Sequence, residues 1–300
     1  MPSDKSQYSA GILFAVVASV IFGLIPLFSV PLLKAGLPVS NVVCYRFAFS
    51  TVAMAVVMAV RRIRLQVTLR ECGALLMLSF FYAMTALLLT ASYQYIPTGI
   101  ATTIHFLYPV WVTLLTIVLF KKKVSRPTIV AMICAICGVA MLSLSGTEAQ
   151  HVSGKGLAIV LGTVVAYGSY LACLPMTAVK DMDGLKVTFW LMLNCTLIFA
   201  INIFVQDGFS GFHAVPDGHC WINLLLVSLL PTLVSNLTLI QAIRRIGATA
   251  TSVMGSLEPL TAVIIGLLVF HEHCTPMQAL GIFMVIGAVA MLIFVKGTKK

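Results

Sequence analysis

Runs of about 20 residues almost free of charge, each long enough to cross roughly 30 Å of hydrocarbon as a helix, recur along this chain. They are separated only by short polar segments, so the chain reads as an all-α membrane protein. Ten spans are expected, at 8–33, 41–60, 72–94, 98–120, 127–145, 156–179, 186–205, 220–243, 247–270 and 275–295. A mean hydropathy of +1.05, with 60% apolar and 9% charged residues, lies outside the range of soluble domains. The longest stretch between spans, "QDGFSGFHAVPDGHC", is too short to bury a core of its own. At the amino terminus the apolar run is too long for the core of a signal peptide and has no persuasive small-residue cleavage site, so it is kept as the first span.

The net charge of +10 would suit a nucleic-acid partner if it were clustered, but its distribution follows membrane topology instead. With the amino terminus placed in the cytoplasm, sixteen Lys and Arg residues fall inside, only Lys34 and Lys155 fall outside, and Arg46 lies within a span. That bias predicts both termini in the cytoplasm and speaks against a nucleic-acid partner; the expectation is a multi-pass protein of a bacterial inner membrane whose partners are the lipid bilayer and a small-molecule substrate.

The eight cysteines are scattered and show neither a disulfide framework nor zinc spacing. Cys134 and Cys137 share a helix face among Ala and Gly, which reads as close helix packing. A disulfide between Cys220 and Cys274 is a remote alternative, and the sequons at Asn194 and Asn236 lie inside spans. No Gly-rich phosphate loop with Lys, no HExxH and no nucleophile elbow is present. No enzyme, metal or cofactor is therefore expected.

Residues 91–144 can be laid on 241–294 at a constant offset of 150 without a gap. Ile96, Leu107, Pro109, Phe120, Ile136 and Val139–Leu142 then recur as Ile246, Leu257, Pro259, Phe270, Ile286 and Val289–Leu292, and Phe22-Gly23 matches Tyr167-Gly168. Two units follow, 1–149 and 150–300. Each has five spans, an odd number, so the second enters the membrane inverted, a construction that sets a substrate site near the midplane between halves. The charge pattern agrees: the basic "KKKVS" after the fourth span becomes "HEHCT" after the ninth.

The stretch "SLEPLTAVIIGLLVFHEHCTPMQALGIFMVIGAVAML" resembles the closing segment of an EamA domain of the drug/metabolite transporter superfamily. "FLYPVWVTLLTIVLF", the "FG" of the first span and Arg46 in "NVVCYRFAF" are similar to the opening repeat. This resemblance, over nearly the whole chain, implies a ten-helix inverted 5+5 bundle around a central cavity lined by the first, third, fourth, sixth, eighth and ninth helices. The loop glutamate, Glu272, is replaced in the first half by Lys122, so no symmetric role is assigned there.

Glu258 lies near the middle of its span, where an exposed charge costs on the order of 3 kcal/mol, so it must face protein or water. One reading makes it a substrate or proton site; the other holds it by hydrogen bonds to Ser256, Ser252 or a neighbouring helix beside the bend at Pro259. His105, about 10 Å from the outer end of its span, shares a face with Ala101, Thr102, Tyr108 and Pro109. It is either a cavity residue or a histidine bonded within the bundle. Arg46, two turns from a span end, is expected to snorkel to the interface as an anchor, with a substrate clamp as the competing reading. Tyr82, Trp111, Tyr167, Tyr170 and Trp190 are deep enough to line a pocket, with packing as the competing role; Tyr93 and Tyr95 read as interface belt. Asn236 and Asn194, in the eighth and seventh spans, are intramembrane amides that need partners, and the resemblance, which puts the eighth helix at the cavity, favours Asn236 there. Pro26, Pro109, Pro175, Pro231 and Pro259 interrupt helices in mid-membrane. Pro109 and Pro259, with Pro26 and Pro175, are the expected hinges.

The reading that follows is a secondary transporter exporting small metabolites such as amino acids by alternating access, with a coupling proton left open. Alternatives are a nucleotide-sugar or sugar-phosphate carrier, a passive channel, or a membrane receptor on the same bundle. Small residues in the fifth and tenth spans suit packing within a monomer or between two copies.

Overall fold

A computed structural model describes residues 4–96, 98–121, 123–144, 153–261, 264 and 275–297. Among them the secondary structure is helical, with no strand. The helices are α1 (Asp4–Phe22), α2 (Ile25–Lys34), α3 (Val39–Val60), α4 (Leu69–Ser92), α5 (Thr98–His105), α6 (Tyr108–Val118), α7 (Arg126–Leu144) and α8 (Gly154–Cys173). They continue as α9 (Gly184–Asp207), α10 (Gly218–Val227), α11 (Ser235–Ile246), α12 (Ala248–Met254) and α13 (Pro276–Gly297). Six described segments are long and apolar enough to cross a membrane: Gln7–Lys34, Val39–Val60, Leu69–Ser92, Gly154–Met176, Gly184–Gly211 and Gly218–Ile246. Of the other expected spans, 98–120 is divided between α5 and α6, while α7 and α13 occupy 127–145 and 275–295. The ninth is described only over 247–261, which includes α12, and at 264. Phe270, Glu272, Cys274 and Lys122 lie outside the described residues.

Helix starts are fixed by local chemistry. Thr68 caps α4 in a capping box: its hydroxyl accepts from the Glu71 amide, and the Glu71 carboxylate accepts from the Thr68 amide at 2.7 Å. Those hydrogen bonds, the one from the Thr68 backbone foremost, hold the Glu71 carboxyl below its usual range. Ser153, Asp183 and Asp217 cap α8, α9 and α10 in the same manner, each accepting an orphan backbone N–H.

Prolines decide where helices break. Pro26 sits in the first turn of α2 just after the interruption at Gly23 and Leu24, and Pro109 likewise opens α6 after Phe106 and Leu107. Pro259 follows the interruption at Gly255 and Ser256. Lacking an N–H, proline is tolerated in a first turn and disfavoured in a helix interior, although α2 carries Pro31 in its interior. Pro231 is accommodated differently. Ser228–Val234 widens into a π-helical segment between α10 and α11, and the Val227 carbonyl, which Pro231 cannot bond, accepts the Thr232 hydroxyl at 2.6 Å. Pro175 departs from expectation. It lies in the 3₁₀ turn Leu174–Met176 that terminates α8, so it ends a helix and does not interrupt one in mid-membrane.

Packing pairs the helices as follows: α1 runs along α11, α4 along α8, α3 along α9, and α7 along α13, while α6 packs on α8 and α12 on α1. In lipid, packing of small residues and interhelical hydrogen bonds drives such association. A Cβ added at Gly138 would lie 2.9 Å from the Gly281 carbonyl, so the small residues of α7 and α13 serve contact within the chain. Asn194 finds its partner across α9 and α4, donating to the Ser79 hydroxyl at 3.2 Å. The seven described cysteines are free thiols, Cys137 exposed and Cys220 buried.

Candidate functional site

The broken helices meet. A Cβ at Gly23 would lie 2.9 Å from the Thr261 Cβ and against the Glu258 carbonyl. One at Gly255 would overlap the Tyr108 hydroxyl, and one at Gly168 would come within 2.7 Å of Trp111. The interruptions at Gly23 and Gly255, and Gly168 within α8, thus each seat a glycine on a neighbouring helix, and a cavity opens beside the junction. It holds about 410 Å³ of atom-free space, mouth included.

Its wall is aromatic and polar. Phe22, Ile25, Tyr82 and Tyr167 supply the apolar part. Arg46, Thr85, Thr90, His105 and Glu258 supply the polar part, and Ala86 and Leu89 complete it. Along α4 the lining runs from Tyr82 to Thr90, close to the helix end at Ser92 and far from the Arg61–Arg70 loop. The cavity therefore lies in the half of the bundle away from that basic loop. On the other side, Tyr82 packs on Tyr170 with ring centroids 5.0 Å apart, and the fully buried Tyr170 donates its hydroxyl to Asn236 Oδ1 at 3.1 Å. This layer closes the cavity floor.

Glu258 is 8% exposed, and no hydrogen bond or ion pair among the described residues reaches its carboxylate. Neither of the two serines expected as its supports bonds it: Ser252 donates to the Thr249 carbonyl at 2.8 Å, and the buried Ser256 hydroxyl has no partner among the described residues.

Arg46 overturns the expectation of an interfacial anchor. Its side chain is 3% exposed, lines the cavity, and donates from Nε to the Thr232 hydroxyl. The Ser50 hydroxyl, 2.8 Å from the Arg46 carbonyl and 2.7 Å from the Ser228 carbonyl, ties the same turn of α3 to the π-helical segment. The reading rested on depth alone, which says how far a residue is from the interface and not which way it faces. α3 buries Val42, Val43, Phe47 and Ser50 and gives Val52, Val56 and Val60 to the outside, and Arg46 falls on the buried side.

His105 Nδ1 lies 2.7 Å from the Thr163 hydroxyl, whose single hydrogen goes to the Val160 carbonyl at 2.6 Å. The hydroxyl therefore accepts from Nδ1–H, and this assigns Nε2 as the lone-pair nitrogen. The ring packs tilted against both Tyr108 and Tyr167, at 5.2 and 5.3 Å between centroids.

Of the other residues singled out from the sequence, Tyr108 and Thr102 are buried behind the wall, and Trp111 donates to Ser169 at 3.0 Å while packing on Gly168. Asn236 and Tyr170 belong to the floor and not to the wall. The second helix, through Arg46, lines the cavity, and the eighth reaches it only through Thr232. Tyr93 is no simple belt residue, since its hydroxyl is buried, whereas Tyr95 is exposed and accepts from Lys155 at 3.0 Å. Among the described residues no cluster of metal-ligating side chains occurs.

The family model described as the EamA-like transporter family matches this sequence twice, over residues 9–144 and 154–294. The chain belongs to the EamA-like transporter family. It is an integral membrane protein of transporter type. An uncharacterized transporter of Synechocystis sp. is 28% identical over 233 residues, covering 75% of this chain and 66% of that one. The threonine/homoserine exporter RhtA of Escherichia coli (strain K12) is 26% identical over 200 residues, covering 66% and 63%. An uncharacterized transporter of Bacillus subtilis, YetK, is 21% identical and covers 63% and 57%. The matched part thus spans less than two thirds of the length of these relatives. A crystal structure 12% identical in sequence superposes with a TM-score of 0.80 over 97% of this chain and 99% of its own, a likeness of fold.

Proposed function

We propose that this EamA-like chain is a secondary transporter that exports a small metabolite of the amino-acid class across a bacterial inner membrane by alternating access. The observation that carries the reading is a cavity built where proline-broken helices of both halves meet, with Phe22, Arg46, Tyr82 and His105 from one and Tyr167 and Glu258 from the other. Unwound backbone at the midplane between repeats is where carriers of inverted construction place their cargo. The ten-span, inverted arrangement of 1–149 and 150–300 draws support from the packing. At the offset of 150, Trp111 corresponds to Thr261, and Gly168 meets Trp111 as its counterpart Gly23 meets Thr261. Likewise α1 on α11 has its mate in α8 on α4, while α3 with α9 and α7 with α13 are pairs of equivalent spans.

With both termini in the cytoplasm, the cavity faces outward and the Tyr82–Tyr170–Asn236 layer is the closed inner side. Glu258 is the group at which a counter-moving proton exchanges. Full-length protein in proteoliposomes should give saturable amino-acid flux with counterflow. Linear, non-saturating flux would mean a pore, and no flux with retained binding would mean a receptor. A pH-gradient dependence unchanged in Glu258→Gln would remove the proton role. For sugar phosphates the polar wall is poorly suited, because a single guanidinium faces a carboxylate there.

A further inference from the structure

The wall of the cavity carries two buried side chains of opposite charge that do not neutralise each other. Arg46 and Glu258 both line it, both are more than nine-tenths buried, and no ion pair joins them. A guanidinium has five N–H donors; among the described residues Nε of Arg46 bonds Thr232 and the Tyr82 hydroxyl lies beside the fork, so donors remain for a ligand. Phe47, 5.4 Å from the guanidinium carbon, covers one face of the fork and leaves its edge for an acceptor. The carboxylate of Glu258 accepts nothing from the described residues, and His105 Nε2 adds a second acceptor without a donor. A buried charge removed from water without a partner is costly, so Glu258 holds either a proton or a cationic group of the cargo in its place, and Arg46 calls for an anionic group.

We infer that the cavity selects zwitterions, the Arg46 fork taking the cargo's carboxylate and Glu258, with His105, taking its ammonium. Resting on the transport reading, this names what that reading leaves open: which residue meets which end of the cargo, and why singly charged relatives of an amino acid are refused. A molecule with one charge satisfies one pole and strands the other; a zwitterion satisfies both and adds no net charge to the bundle. Guanidinium suits a carboxylate because its donors match two oxygens in a plane. The side chain of the cargo then lies along Tyr82, Tyr167 and Phe22. Thr232 positions the fork: its one hydrogen is spent on Val227, so it can only accept from Nε and turns the remaining donors away from the π-helical segment.

The test uses the purified full-length chain and three matched sets of probes: common α-amino acids, the primary amines lacking their carboxylate, and the 2-hydroxy acids lacking their ammonium. Binding is read by competition and thermal shift. In the wild type the best amino acid should bind at least tenfold more tightly than its amine or hydroxy acid. Arg46→Gln should bring the amine level with or ahead of the amino acid. Glu258→Gln should do the same for the hydroxy acid, while Arg46→Lys should keep the wild-type order with weaker binding. If Arg46→Gln does not fold, the wild-type order and the Glu258→Gln reversal decide. Three outcomes overturn the inference: no amino acid binds, all three sets bind alike, or both variants weaken every probe equally. Zwitterion selectivity without saturable flux would leave this inference standing and remove the transport reading. Saturable flux of a singly charged solute with no preference among the sets would do the reverse.

Discussion

Gly255→Ala is the sharpest test of how the broken helices meet. The added methyl carbon would overlap the Tyr108 hydroxyl and stand 2.9 Å from both the Tyr108 Cζ and the Ser252 carbonyl. A flexible side chain could swing away, but Tyr108 is caged by His105, Phe106 and Tyr167 at centroid distances of 5.2, 5.7 and 4.7 Å. Relief must then come from separating the two breaks, and overpacking of this kind costs about 1–3 kcal/mol. Tyr108→Phe removes the worst contact and leaves the two at 2.9 Å. In the Gly255→Ala background it should therefore return about 1 kcal/mol, and alone it should change little, since its hydroxyl makes no hydrogen bond to a described residue. Unfolding by SDS titration in mixed micelles, over all four members of the cycle, measures these terms. Wild-type stability of Gly255→Ala, or strict additivity of the two substitutions, would refute the close approach on which the cavity's geometry depends.

Pro259→Ala should reduce turnover severalfold while changing cargo affinity less than twofold, because it stiffens a break without touching the wall; equal losses in both would argue against a hinge. Tyr170→Phe removes one buried interhelical hydrogen bond from the cavity floor and should cost about 0.6 kcal/mol in the same SDS assay, with no effect at all marking the bond as absent. The Glu71 carboxyl is held below its usual value of 4.5 by its bonds to Thr68. Its contribution to the start of α4 is therefore complete above that value and lost as pH falls through the lower, folded one. Amide exchange at residues 68–72 should rise in that acidic window in the wild type and not in Glu71→Gln. For topology, a cysteine at Lys155 in a cysteine-free background should react with an impermeant thiol reagent in intact cells and one at Gln66 only in inverted vesicles; the opposite pattern would invert the assignment.

Much of the molecule was legible in the residue string because lipid imposes few solutions. Run length marked apolar spans, six of which are described as helices long enough to cross a membrane, prolines marked several of the breaks, and Glu258, His105, Tyr82 and Tyr167 stood out as deep polar or aromatic residues that come to line one cavity. Facing was not legible. Hydrocarbon outside a membrane helix is as apolar as the packing inside, so α3 uses Val at buried 42 and 43 and at exposed 52, 56 and 60, and no periodic contrast marks its inner side. Arg46 was misread for that reason. Its direction is set by Thr232, 186 positions away on a π-helical turn that Pro231 creates, and only the folded chain brings the two together. Trp111, Tyr170 and Asn236 teach the same lesson from the other side, being deep enough for the cavity yet turned by their neighbours into its supports. Sequence alone determined how many polar groups lie at membrane depth and how far each is from water. The contacts between helices decided which of those groups share one space, because depth depends on the rise along one helix while facing depends on what packs against it.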